Sequence, residues 1–268
     1  MTPPLEQAAA KVFGVFPTNQ RRLHGGDLSE VWHLTFSDGR EVIAKRGTLV
    51  ATEGRMLAAM SRAGAPVPEV LGEAANTLFL QYIAEARGSE TAWRTLGSGL
   101  RQLHGTQSAA YGWSEDYAFG DVAIHNTQSD DWPAFWASNR ILPFLPHVPT
   151  DIAHRLENLV PHLQDLLPTT PPASLLHGDL WTGNALFSGN QAFLIDPACY
   201  YGDAEVDLAM LHLFGTPPRA FYDGYGEIAP DILERRPAYQ LWPAIVHLRL
   251  FGASYRSMVN DCLTKLGA

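Results

Sequence analysis

The chain has 268 residues, 46% of them hydrophobic and 18% charged, enough to bury a large core in one domain or in two lobes. Its net charge of −9 argues against nucleic acid or an anionic membrane surface as a default partner. Its two cysteines, Cys199 and Cys262, stand in no zinc spacing and exclude a disulfide framework.

The start M-T-P-P-L-E-Q-A-A-A-K lacks a basic segment followed by an apolar one, and no apolar run reaches the roughly 18 residues of a membrane span, so a soluble cytoplasmic protein is expected. Leu5 to Phe13 reads as a short helix ended by Gly14 and Pro17. Arg21 to Ser29 follows with a Gly25-Gly26 pair, then a period-2 run from Glu30 to Phe36, an Asp38-Gly39 turn and the strand Glu41 to Lys45. This is a three-stranded antiparallel start. The Gly25-Gly26 turn lets backbone N–H groups approach phosphate oxygens with no side chain in the way. Lys45 ends V-I-A-K, close to the V-A-I-K strand whose lysine pairs nucleotide phosphates. Leu49 to Ser61 is predicted helical, with Leu49, Met56, Leu57 and Met60 on one face, and Glu53 is placed to ion-pair with Lys45.

Gly64, Pro66 and Pro68 break that helix, and Val70-Leu71 with Thr77 to Ile83 complete a five-stranded sheet. The backbone of Gln81, Tyr82 and Ile83, where the chain leaves the sheet, is expected to face an adenine ring, by analogy with kinases. Ser89 to His104 reads as a helix with Gly105 at its C′ position. Tyr111 to Asp131 reads as a long irregular segment, a candidate wall for an acceptor. Asp130 or Asp131 caps a helix whose Trp132 and Trp136 are expected in the core, with a sugar pocket as the other possibility. Ile152 to Leu167 is a further helix, ended by Pro168 and the residues up to Pro172.

The chemistry concentrates in S-L-L-H-G-D-L-W-T-G-N-A-L-F-S-G-N-Q-A-F-L-I-D-P, residues 174–197. Ala185 to Phe187 and Ala192 to Ile195 flank a Gly-Asn turn and predict a hairpin, with Asp179 and Asn184 before it and Asp196 after it. Two carboxylates and an amide oxygen meeting there suit phosphoryl transfer: a base for an attacking hydroxyl, and hard oxygen ligands for Mg²⁺. The H-x-D-x-x-x-x-N spacing matches the catalytic loop of protein kinases, with Asp-Pro where those enzymes carry D-F-G. Downstream, Asp207 opens a helix and is expected to accept backbone N–H groups of that loop. Asp203 and Glu205 are either surface charges or acceptor-site groups. Segments around Phe221-Tyr222, Ala238 to Val246 and His247 to Met258 read as C-terminal helices.

With these residues in view, the chain resembles the fructosamine kinase (ketosamine-3-kinase) family, within the wider aminoglycoside phosphotransferase and choline kinase group. H-G-D-L-W-T-G-N at 177–184 is the sharpest marker, joined by N-T-Q-S-D-D-W-P-A-F-W at 126–136, Y-G-D-A-E-V-D-L-A-M at 201–210, L-F-G-T-P-P-R-A-F-Y at 213–222 and H-L-R-L-F-G-A-S-Y at 247–255. The resemblance implies an α+β, bilobal protein-kinase-like fold, with a small antiparallel-sheet N-lobe over 1–83 and a mainly helical C-lobe over 84–268. It implies ATP- and Mg²⁺-dependent phosphorylation of the 3-hydroxyl of a ketosamine, free or protein-bound, whose unstable phosphate then releases the amine. Asp179 would be the base, Asn184 and Asp196 the Mg²⁺ ligands, Lys45 and Glu53 the phosphate-holding pair, and Trp181 the face on which the sugar packs. A kinase of another small hydroxyl compound, such as an aminoglycoside or choline, is the nearest alternative, and a non-catalytic pseudokinase a further one. Many relatives carry a cysteine after the Gly-Gly pair that forms redox-sensitive dimers; Asp27 stands there here, so a monomer or a non-covalent dimer is expected.

Overall fold

A computed structural model describes residues 4–23 and 29–268. The expected Gly25-Gly26 phosphate turn, and Asp27 beside it, lie outside the described residues. The chain opens with α1 (Leu5–Phe13) and continues through β1 (Asn19–Leu23), β2 (Glu30–Thr35), β3 (Glu41–Arg46), α2 (Val50–Arg62), β4 (Val70–Ala74) and β5 (Thr77–Gln81). The strands form one antiparallel sheet in the order β1-β2-β3-β5-β4. Alternation along β3 decides what each face does. Val42 and Ala44 join Leu34, Phe36 and Phe79 under Leu5, Ala8 and Ala9 of α1. On the other face, Ile43 packs with Leu78 and Leu80 beneath Val50 and Leu57 of α2. Lys45, two residues beyond Ile43, therefore points toward α2.

The rest is mainly helical. Ser89 caps α3 (Glu90–His104), its Oγ accepting from Ala92 N–H. Gly105 ends that helix with a right-handed φ of −69°, so no left-handed C′ turn forms. The segment read as irregular holds a short hairpin, β6 (Tyr117–Phe119) and β7 (Val122–Ile124). Three-residue strands are too short for a periodic pattern to reveal. Asp131 caps α4 (Trp132–Trp136), Oδ1 accepting from Ala134 N–H at 2.7 Å.

The helix expected over 152–167 divides at Pro161 into α5 (Thr150–Leu159) and α6 (Leu163–Leu166), with a short 3₁₀ turn between them. Then come β8 (Ser174–Leu175), the hairpin β9 (Ala185–Ser188) and β10 (Gln191–Leu194), and β11 (Tyr201–Gly202) paired with β8. The C-terminal part holds α7 (Glu205–Leu211), α8 (Arg219–Tyr225), α9 (Ile232–Phe251) and α10 (Arg256–Lys265). Helix α9 spans what the sequence divides into two segments, and it does so with Pro237 and Pro243 inside it. Each proline forfeits a backbone hydrogen bond. Burial of Tyr239, Leu241, Trp242, Ile245 and Leu248 outweighs that loss, and the chain turns at Gly252 instead.

Candidate active site

Five of the sequence-predicted residues meet at one cavity of about 230 Å³ between the sheet and the helical part: Lys45, Glu53, Asp179, Asn184 and Asp196. Lys45 Nζ donates to Glu53 Oε1 at 2.6 Å and to Asp196 Oδ1 at 2.7 Å. Lys45 and Glu53 are 5% and 4% exposed, so the pair is held in a low dielectric. Burial alone would lower the Lys45 pKa, but the facing Glu53 and Asp196 carboxylates outweigh it and hold the ammonium above its ordinary value. Asp196 joins these groups at the end of the hairpin with a left-handed φ of +57°, a conformation that a non-glycine residue keeps only where its surroundings impose it.

The loop that carries Asp179 is anchored from below. Asp207, fully buried in the first turn of α7, accepts from His177 N–H at 2.8 Å and from Gly178 N–H at 2.9 Å. His104 Nε2 approaches the same carboxylate at 3.0 Å, and its Nδ1 meets Tyr225 Oη at 2.9 Å, so this histidine is part of the anchor and lies away from the cavity. His177 Nε2 donates to Ile195 C=O at 2.9 Å while its Nδ1 accepts from Asp179 N–H, which describes a neutral ring whose pKa burial pushes down. Gly178 has φ +82°, and a Cβ there would stand 2.0 Å from Ala198 C=O. Only glycine fits where the loop crosses the segment that joins β10 to β11.

Asn184 fixes Asp179 in turn. Its Nδ2 donates to Asp179 C=O at 2.7 Å and to Asp179 Oδ2 at 2.9 Å. Burial pushes the Asp179 carboxyl well up against the Asn184 hydrogen bond, and the neighbouring Asp196 and Asp207 carboxylates push the same way. Trp181, 36% exposed, stands on the cavity wall beyond Asp179.

The remaining predicted site residues that the structure describes fall elsewhere. Asp203 is not a surface charge and is not among the residues lining the cavity: it is buried, accepting from Tyr239 O–H at 2.5 Å and from Glu205 N–H at 3.0 Å. Glu205 is held by Arg235 through two hydrogen bonds of 2.7 and 2.5 Å. Both carboxylates are spent on joining α7 to α9, outside the cavity lining. Gln81, Tyr82 and Ile83 likewise lie off this cavity. The N–H of Gln81 is already given to Glu69 C=O at 2.9 Å, and Tyr82 stacks on His33 at 4.3 Å. Trp132 and Trp136 are both fully buried in the core, so neither lines a pocket.

Tyr117 and Phe119 of β6, within the Tyr111 to Asp131 segment expected as an acceptor wall, do line the cavity, whereas sequence reasoning gave no site role to Trp242, His247 and Phe251 of α9, which line it as well. The helical reading of Ala238 to Val246 and His247 to Met258 and the H-L-R-L-F-G-A-S-Y stretch were signals for α9, but spacing gave them no role in a site. The β6 wall is tied to α2 by Glu115. Arg55 Nε and Nη2 donate to its two carboxylate oxygens at 2.8 and 2.5 Å, and Thr52 O–H donates at 3.0 Å. Arg55 and Thr52 flank Glu53, so this bridge sets the helix that holds Lys45 against the wall of the cavity. Glu115→Ala is expected to lower kcat/KM about two- to tenfold and cost at most about 1 kcal/mol of stability, because the pair is largely exposed. The swap Arg55→Glu with Glu115→Arg should restore part of the activity in the same steady-state assay; no recovery would refute the bridge's role.

Comparison with known proteins follows the same lines. A family model described as fructosamine kinase matches residues 4–268. A protein of Thermus thermophilus named as a probable ketoamine kinase is 35% identical, over 87% of this chain and 88% of its own. One of Escherichia coli K12, named likewise, is 32% identical over 92% of each chain. A crystal structure from Thermobifida fusca, assigned as a fructosamine-3-kinase, superposes with a TM-score of 0.90 at 29% identity, covering 98% of this chain and 99% of that one. A macrolide 2′-phosphotransferase of Brachybacterium faecium shares the fold alone, with a TM-score of 0.63 at 17% identity over 95% of this chain and 96% of its own.

Proposed function

The chain belongs to the fructosamine kinase family, and on that premise we propose that it transfers the terminal phosphoryl group of ATP to the 3-hydroxyl of a ketosamine such as a fructosamine or a ribulosamine. It has the bilobal protein-kinase-like fold of the phosphotransferases it superposes on. We take Ile83 as the division between an N-lobe over 1–83 and a C-lobe over 84–268. The observation that carries the reading is the convergence of Lys45, Glu53, Asp179, Asn184 and Asp196, drawn from four separate segments, on one cavity with Trp181 on its wall.

The roles follow from which atoms are committed and which are left. Asn184 gives its amide N–H groups to Asp179, which leaves its Oδ1 as an acceptor. Asp196 spends Oδ1 on Lys45 and keeps Oδ2, on a side chain 42% exposed. One carboxylate and one amide oxygen are the hard donors that Mg²⁺ takes when phosphate oxygens and water complete its shell. These two residues therefore fit a Mg²⁺ ion, which when bound offsets the charge of the phosphates. Lys45, kept protonated and pointed by Glu53, holds the same phosphates from the other side. The Gly25-Gly26 turn is the proposed phosphate cover. With the Gln81 N–H committed, the adenine edge falls to the backbone of Tyr82 and Ile83.

Asp179 orients the acceptor hydroxyl and takes its proton. A carboxylate whose pKa is raised by burial is a stronger proton acceptor than one in water. Trp181 offers an aromatic face to the C–H side of the sugar. The 3-phosphate so formed eliminates, releasing the amine, so the net outcome is deglycation. Mass spectrometry of a ribulosamine and a fructosamine incubated with the protein and Mg-ATP should show the gain of one phosphate on at least one of them. No gain on either, with phosphorylation of an aminoglycoside or choline in a parallel panel, would refute the ketosamine assignment.

A further inference from the structure

We propose that the rim of this cavity is a subsite for the amine half of the acceptor, and that the acceptors it favours are ketosamines whose protonated amine carries an aromatic substituent. The inference rests on the reading just given and extends it to the part of the acceptor that undergoes no chemistry.

Five rings form a continuous strip leading outward from Asp179. Trp181 meets Phe214 edge-on at 5.8 Å, and Phe214 lies 5.1 Å from His247 and 6.5 Å from Tyr255. His247 in turn lies 5.0 Å from Tyr255 and 5.5 Å from Phe251, and those two are 5.8 Å apart. They come from four places in the chain: the catalytic loop, the segment after α7, the last turns of α9, and the turn after Gly252. Trp181, His247 and Phe251 line the cavity itself, and Phe214 and Tyr255 continue the strip beyond it. The Trp181 ring lies directly over Gly183, where a Cβ would stand 2.1 Å from it, so a missing side chain is part of how the strip is built.

Phe214 and Phe251 are 41% and 46% exposed beside a 36% exposed Trp181. Single exposed apolar residues need no explanation, but a contiguous aromatic strip at the mouth of a cavity marks a place where something apolar binds. The chemistry of the acceptor says what that is. With the 3-hydroxyl at Asp179 and the sugar on Trp181, the amine two carbons away is what extends along the rings. That amine is a cation at neutral pH, and ring faces attract cations. His247 Nδ1–H donates to Pro243 C=O at 2.8 Å, which leaves Nε2 as a lone-pair acceptor for an ammonium N–H. Burial keeps this imidazole's pKa below its ordinary value, so the strip carries no charge of its own to repel the amine. Lys45 is the only lysine or arginine among the described residues that line the cavity, and Glu53 and Asp196 already engage it. The substituent beyond the nitrogen then lies against Phe214, Phe251 and Tyr255.

The test compares two ketosamines of the same sugar, one built on methylamine and one on benzylamine, by kcat/KM with Mg-ATP. The benzyl compound should be preferred about three- to tenfold, the worth of one or two aromatic contacts. Phe214→Ala and Tyr255→Ala should each bring that ratio toward one, and Phe214→Leu, which keeps bulk without a ring, should fall between. A ratio of two kcat/KM values measured on one preparation does not depend on how much of the variant is folded. Equal or reversed values in the unmodified protein would overturn the proposal, as would an undiminished ratio in both alanine variants. If all ketosamines gain phosphate at equal kcat/KM, only the rim assignment fails. If none gains phosphate, the ketosamine reading fails and the rim assignment with it.

Discussion

Replacing Asp179 by alanine is expected to lower kcat about 10²- to 10⁴-fold, the range supplied by a positioned general base, with little loss of stability. The two halves of that result have separate causes. On the proposed mechanism this carboxylate is the group that reaches the acceptor hydroxyl, and neither neighbouring carboxylate is placed to take over its proton. Asp196 is turned to Lys45, and Asp207 lies beneath the loop, both its oxygens accepting from backbone N–H groups. Stability, by contrast, gains little from Asp179. Its carboxyl is pushed up by burial and by two neighbouring carboxylates, so ionising it costs free energy in the folded state. The Asn184 amide would lose one acceptor and keep the other, the Asp179 backbone oxygen at 2.7 Å. Turnover by ADP release, with melting followed by circular dichroism, checks both halves. Asp179→Asn, which keeps the shape and removes the base, should be nearly as inactive as alanine. Near-normal turnover in either variant would remove Asp179 from the mechanism.

Asp207→Ala should fail in the opposite order, losing the fold first and the activity as a consequence. This carboxylate is fully buried and accepts from two backbone N–H groups and from His104. Its removal leaves those donors without a partner in a place water does not reach. Breaking a buried pair of this kind costs about 3–5 kcal/mol. For a chain of this size that lowers the melting temperature by roughly 10 °C. Activity falls as well, because the N–H groups concerned belong to His177 and Gly178 and set the position of Asp179. A thermal scan of Asp207→Ala that overlays the unmodified protein would show that the anchor is dispensable.

The same residue makes stability depend on pH, and the sign can be worked out. Burial would raise the Asp207 pKa, but the hydrogen bonds and charge of His104, with His177 and the Gly178 N–H, outweigh it and hold the carboxyl below its ordinary 3.8. A carboxyl depressed in the folded state contributes stability that is present above its unfolded pKa and is lost as pH falls through the folded one. His177 acts in the same direction over a higher window. Its imidazole is held below the ordinary 6.5 by burial, so below that pH the unfolded chain takes up a proton that the folded chain refuses. Melting temperatures should therefore decline as pH is lowered from about 6.5, with a further decline in the carboxylate range that Asp207→Asn lacks. His212 and His247, also held down by burial, act with the same sign, so a flat profile from pH 7 to 5 would contradict the neutral imidazoles at all three positions.

Much of the machinery was legible because it is local in sequence. The H-x-D-x-x-x-x-N spacing, the hairpin that follows and the Asp after it are short-range patterns, and turn chemistry and period-2 alternation place them within a residue or two. The V-I-A-K strand and the glutamate one helical turn into α2 are local as well. Legibility failed where the contact is between distant segments. Asp203 and Glu205 look like acceptor acids in isolation, yet Tyr239 and Arg235, about thirty residues later in the chain, claim them. The helical character around α9 was legible, but that its Trp242, His247 and Phe251 face the cavity was missed, because that depends on packing against distant segments.

By itself the sequence determined that a phosphoryl group moves: the order and spacing of Lys45, Glu53, Asp179, Asn184 and Asp196 admit little else, and H-G-D-L-W-T-G-N resembles one family among those that do it. The tertiary structure decided what surrounds those atoms. It buried the Lys45–Glu53 pair, set Asp207 under the loop, brought β6 and α9 to the cavity lining, and lined up Trp181, Phe214, His247, Phe251 and Tyr255. The physical reason is one of range. Backbone geometry and turn preference act over a few residues and can be read along the chain, whereas burial and ring packing depend on which distant surfaces meet.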